Sequence, residues 1–154
     1  MIEHLRTQVR QVCCMERGFN SLPDSFKETV IEIATEVLVI PDAELSDRAV
    51  AIDTMALTDP YAEYESSYKG SLLTRYYEVL AHLTNIGDDP ATIDAKTSLA
   101  LRGSIASRLS AITLDGKLNS FPDYAKPRGV ERDIAYAQIS CREAAVFMAT
   151  NLFN

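Results

Sequence analysis

Apolar residues recur along this chain at steps of three and four. Ile2, Leu5, Val9, Val12 and Cys13 share one line, the 3.6-residue period of a helix that buries one face. A first helix is expected over about 2–16, with Gly18 as the left-handed residue that ends it. In "LPDSFKETVIEIATEVLVI" the residues Phe26, Val30, Ile33, Val37 and Ile40 repeat the pattern. Pro23 and Asp24 suit a first helical turn, where a missing N–H is harmless and negative charge is favoured. The β-branched tail is read as a buried last turn, because no partner strand is evident, and Pro41 forces a break.

The third helix is "DAELSDRAVAIDTMAL", with Leu45, Ala49, Ile52, Met55 and Ala56 inward. Asp59 then offers an N-cap and Pro60 a first turn for a long fourth helix ending at Gly87. Asp89 and Pro90 repeat that grammar for a fifth helix, which carries Ile93, Leu101, Ile105, Leu109 and Ile112 and stops near Gly116. "DGKLNSFPDYAKPRG", residues 115–129, holds two prolines and two glycines and reads as one long irregular loop. A last helix from Val130 puts Ile134, Ala137, Cys141, Ala145 and Met148 on one side. Small residues on the last two helices (Gly103, Ala106, Ala135, Ala137, Ala144, Ala145) suit a close approach of their axes. The expected fold is all-α: a compact bundle of about six helices forming one domain over residues 1–154.

Composition narrows the function. The 154 residues are 47% hydrophobic and 24% charged, a globular balance. No apolar run approaches the roughly 20 residues of a membrane span. The first 15 residues alternate at helical spacing and lack the apolar block of a secretory signal. A soluble, cytoplasmic protein, or one in the host cytoplasm if viral, is the expectation. The net charge is −7, and residues 18–100 carry fifteen acidic against five basic side chains. That sign disfavours direct nucleic-acid binding and favours a basic protein partner. Cys13, Cys14 and Cys141 are odd in number and two are adjacent, so free thiols are expected over a bridge joining the chain ends.

Recognisable chemistry is sparse. Only His4 and His82 are present, too few with these cysteines for a zinc site. Glu78 and His82 share a helix face without the second acidic motif of a di-iron bundle. No nucleophile elbow, phosphate loop or dinucleotide fingerprint occurs. The reading is therefore no catalytic residue, no cofactor and no metal.

Two features stand out. Five of the seven tyrosines fall within residues 59–80, and Tyr61, Tyr64 and Tyr68 form a stripe that Leu72, Tyr76, Leu80 and Leu83 extend. A stripe of phenols makes a poor dry core, because each buried hydroxyl needs an acceptor, whereas interfaces favour tyrosine. Glu63, Glu65, Ser66, Ser67 and Lys69 lie elsewhere around the wheel. Lys117, Lys126, Arg128 and Arg132 form a basic stretch suited to the acidic middle of a neighbouring copy. The leading reading is a non-enzymatic interaction module: a small inhibitor or adaptor, of the kind viruses and mobile elements carry, that binds a basic, nucleic-acid-handling protein through Tyr61, Tyr64, Glu65, Tyr68, Lys126, Arg128 and Arg132. Alternatives are a self-assembling structural subunit, and a small-ligand binder or enzyme with an interhelical pocket near Tyr77, Glu78 and His82. Tyr64→Ala combined with Tyr68→Ala is expected to abolish partner binding with little change in melting temperature; a large thermal shift with binding intact would make the stripe core.

Overall fold

The computed structural model describes residues 2–57, 72–118, 120–125 and 129–151. Among them are seven α-helices and two short 3-10 turns, with no strand, arranged as an all-α bundle. The helices are α1 (Ile2–Cys14), α2 (Arg17–Asn20), α3 (Asp24–Leu38), α4 (Leu45–Leu57), α5 (Leu72–Leu83), α6 (Pro90–Leu118) and α7 (Val130–Asn151). The 3-10 turns are Asp42–Glu44, which leads into α4, and Asp123–Ala125. No described helix is long and apolar enough to cross a membrane.

The sequence stripes mark the packed faces of the outer helices. Val9, Val12 and Cys13 of α1 are buried, as are Val30, Ile33 and Val37 of α3, Leu45 and Ile52 of α4, and Ile134, Ala137, Cys141 and Ala145 of α7. They join one core built around α6. On α5, Val79 and Leu83 form a smaller cluster with Ala100 of α6, edged by Tyr76, Leu80, Leu99 and Val146. Met55 and Ile93, expected inward, are 50% and 40% exposed, and Ala135 is also exposed. Each sits near the edge of its stripe, where 100° per residue carries a side chain past the rim of the contact.

Helix α6 is the centre of the bundle. It packs against α3, α4, α5 and α7, most extensively against α7. Every residue from Gly103 to Arg108 is buried, so α6 has no polar face and shows no clean periodicity. Buried hydroxyls on such a helix need local acceptors. Ser104 Oγ donates to Ala100 O at 2.9 Å and Ser107 Oγ to Gln138 O of α7 at 3.1 Å. The two helices approach tightly at Gly103, where a Cβ would lie 2.7 Å from Ala145 Cβ. This is the close approach expected of the small residues.

Helix ends follow specific bonds. Asp89 Oδ1 accepts the Thr92 N–H at 2.7 Å, the N-cap of α6. Asp88 beside it accepts Lys96 Nζ at 2.8 Å and the Asn85 N–H at 2.9 Å. These bonds hold both carboxyls below their ordinary range, Asp88 chiefly through Lys96 and Asp89 through Thr92. Gly87, at φ +92°, makes the turn before them. Helix α3 ends at Leu38, before Pro41, and Arg102 of α6 closes the corner: Nη1 donates to Val37 O at 2.9 Å and Ile40 O at 2.6 Å, while Nη2 pairs with Asp42.

Two boundaries differ from expectation. Gly18 does not end α1 in a left-handed turn; it lies inside the short helix α2, and positive φ among the described glycines is confined to Gly87 and Gly129. Helix α6 runs past Gly116 to Leu118, because Leu114 and Leu118 remain on its buried face and outweigh the roughly 1 kcal/mol propensity cost of one glycine. The loop before α7 is correspondingly shorter than residues 115–129, and Phe121, at 48% exposed, does not pin it to the core.

All three cysteines are free; Cys13 and Cys141 are buried and Cys14 is exposed. Burial pushes both inner thiols up to about 12, and the Ser110 hydroxyl beside Cys141 only partly offsets it.

Gly103→Ala is expected to lower unfolding free energy by about 1–3 kcal/mol through overpacking, although alanine is the better helix former. Ala145→Gly in the same chain should restore part of the loss. Urea unfolding of both single variants and the double variant measures the coupling.

Candidate functional site

Of the residues singled out for partner binding, Tyr61, Tyr64, Glu65, Tyr68, Lys126 and Arg128 lie outside the described residues. Arg132 is exposed in the first turn of α7. Its guanidinium folds back over Gly129, with Nη2 3.3 Å from where a Cβ on that residue would stand. The rings of Tyr76 and Tyr77 have centroids 5.2 Å apart and are tilted by 60°; Tyr76 is half-buried and Tyr77 exposed.

The described residues also form a cleft that no contiguous stretch of sequence announces. It encloses about 210 Å³ and is lined by Glu16, His82, Arg142, Glu143, Val146 and Phe147. Glu16 precedes α2 in extended conformation, His82 comes from the last turn of α5, and the other four come from α7. The packing of α2 and α5 on α7 brings them together. The cleft lies near the pocket expected around Glu78 and His82. Tyr77 does not line it, and Glu78 stands behind it: Arg142 Nη1 donates to Glu78 Oε2 at 2.6 Å.

The electrostatics turn on two carboxyls. Glu143 is half-buried, and loss of water raises its pKa above the ordinary 4.5. Hydrogen bonding with Glu16 and the charge of Glu16 add to the rise, and Arg142 opposes it. Desolvation and the neighbouring Glu16 thus both favour the neutral form of Glu143. Behind them, the position a Cβ would take on Gly18 lies 3.4 Å from Glu143 Oε2 and 3.7 Å from Ser140 Oγ. Ser140 is fully buried, and its hydroxyl has no hydrogen-bond partner. Gly18 thus packs close to both the Glu143 carboxylate and the buried Ser140 hydroxyl. Two carboxyls, a neighbouring imidazole and an apolar wall can hold a cation or exchange a proton. Among the described residues, no group of three His, Cys, Asp or Glu side chains is placed to hold a metal ion.

Comparison with known protein families, with curated proteins and with solved structures found no match to this chain. Its class is thus set by its own architecture, an all-α bundle.

Glu143 gives a pH signature. A carboxyl whose pKa is raised by folding stabilises the fold fully below its ordinary value, and that contribution fades as pH rises through the folded-state value. Glu28, Asp88 and Asp89 have lowered values and act in the opposite sense, losing their contribution on acidification. Glu143→Gln should leave the fold intact and remove only the first effect. Urea unfolding between about pH 4 and about pH 8 should show the variant gaining on the natural chain as pH rises; a constant difference would mean that folding does not raise the Glu143 pKa.

Proposed function

We propose that this chain is a non-enzymatic interaction protein, an acidic inhibitor or adaptor that occupies the basic surface of a protein partner. The observation that supports it most is the outer face of α3. Asp24, Glu28, Glu32 and Glu36 fall four residues apart, and all four are exposed. Four residues of helix rise about 6 Å and turn about 40° beyond a full circle, so the carboxylates form a ridge that climbs about 18 Å while winding about a third of the way round α3. Glu28 holds Arg10 of α1, its Oε2 accepting Nη2 at 2.9 Å, and Asp24 lies 3.6 Å from Lys27. Asp42, Glu44 and Asp47, also exposed, continue the acidic surface beyond the end of α3.

A regular row of negative charge suits a surface built to receive a phosphate backbone, which carries one charge per roughly 3.4 Å of each strand. Such complementarity raises association rate and selects partners more than it adds affinity. Tyr61, Tyr64, Glu65 and Tyr68 would supply the aromatic anchors, and Lys126, Arg128 and Arg132 a basic rim.

Affinity capture from a lysate of the source organism tests this reading, with Glu32→Lys plus Glu36→Lys as the comparison. A partner with a basic nucleic-acid-binding surface should be retained by the natural chain at about 0.15 M salt and lost at about 0.5 M. The double variant should fail to capture it while keeping its helical circular dichroism. Equal capture by both chains at both salt concentrations would overturn the proposal.

A further inference from the structure

The N-terminal half of α6 carries a groove that stands apart from the acidic row on α3 and from the cleft on α7. Arg102 meets the end of α3, so the turns of α6 before it run on past that end. The groove opens there, about 560 Å³ in volume, between Leu38, Asp42 and residues 89–102 of α6. Ala91 and Ala95, one turn apart, line it and are exposed, while Leu38 and Leu99 are half-buried. The alanines leave room, and the leucines supply apolar walls. Its two cations are already engaged: Arg102 pairs with Asp42 and Lys96 with Asp88. With Asp89 in the lining and Glu44 in the same 3-10 turn as Asp42, the surplus charge is negative.

The opposite end of α6 carries the complement. The turn after Leu118 presents Phe121 at 48% and Tyr124 at 93% exposed, so the Tyr124 ring rests against almost nothing in its own molecule. The turn is nonetheless held in shape. Phe121 N–H donates to Leu118 O at 3.1 Å, Ala125 N–H to Pro122 O at 2.8 Å, and Ser120 Oγ to Lys117 O at 2.6 Å. Lys117 and Arg132, both exposed, flank it along the chain against Asp123, a positive surplus. We propose that this aromatic turn of one molecule seats in the α6 groove of a second copy. Phe121 and Tyr124 lie against Leu38, Ala91, Ala95 and Leu99, and Lys117 and Arg132 face the acidic rim. Ala95 and Leu118 stand about 35 Å apart along one helix, so no chain can fill its own groove. The contact joins two different surfaces, and its repetition gives a ring or an open chain of copies. A turn ordered beforehand loses little freedom on docking, aromatic side chains are the anchors interfaces favour, and opposite surpluses orient the encounter.

Sedimentation equilibrium of the full chain tests this, since its mass should grow with concentration from the 17.0 kDa monomer. Tyr124→Ala removes the inserted ring and leaves the groove; Ala95→Trp fills the groove and leaves the ring. Both positions are exposed, so each variant should keep the helical circular dichroism and melting temperature of the natural chain. Each alone should associate at least about tenfold more weakly. Mixed in equal amounts, the two should form a one-to-one pair that grows no further. The intact groove of the first variant receives the intact turn of the second, and the remaining two surfaces are both disabled. A natural chain that stays monomeric up to about 1 mM, an association unchanged by either variant, or a mixture no heavier than its separate components would overturn the proposal.

Discussion

The contact on which the bundle depends is the approach of α6 to α7 at Gly103 and Ala145, where a single added methyl group would stand 2.7 Å from its neighbour. Interiors at crystal-like density transmit so tight a contact to everything packed on it. Because α6 meets other helices on nearly all sides, its middle turns hold no polar face, and their hydroxyls must find carbonyl partners within reach. Ser104 finds Ala100 on its own helix and Ser107 finds Gln138 on α7. Gln138 in turn accepts Arg75 Nη2 of α5 at 2.7 Å, so a polar seam ties three helices beside the apolar one. The seam fixes how α5 and α7 lie side by side, and the cleft opens along that same junction.

The cleft shows how a bundle acquires chemistry without a motif. None of its groups is unusual alone: a glutamate before a short helix, a histidine near a helix end, an arginine and a glutamate adjacent on another helix. Held together, they differ from their solvated selves. Glu143 loses water and gains a carboxyl neighbour, and both changes favour its neutral form. A glycine and a buried serine lie close behind it. The carboxylates in the row on α3 are the opposite case, each exposed to water.

Much of the fold was legible because local rules and burial agreed. The stripes of α1, α3, α4 and α7 named buried residues such as Val9, Ile33, Ile52 and Cys141, and Asp89 was readable as a cap from its place before proline. Where the rules conflicted, packing prevailed. Gly18 and Gly116 look like helix terminators, yet both lie in helical backbone, since a glycine costs little where neighbouring side chains stay buried. Helix α6 was harder to read: its middle turns are enclosed and have no preferred direction, so of its stripe Ile105 is fully buried, Leu101, Leu109 and Ile112 are half-buried and Ile93 is exposed, while Ser104, Ser107 and Arg108 also went inside. The cleft could be read only in part. His82 and Glu78 pointed toward it, but Glu16, Arg142 and Glu143 join them only through tertiary packing, and no spacing connects residue 16 with residue 143.

The arginine that closes the end of α3 has a consequence for the order of assembly. The carbonyls of Val37 and Ile40 are satisfied by a side chain sixty-odd positions later in the sequence. A nascent chain still lacking Arg102 can coil residues 24–38 but must leave that terminus to water. The corner into α4 is therefore locked only when α6 has been made and docked, so the acidic row on α3 is coiled before the turn that follows it is fixed.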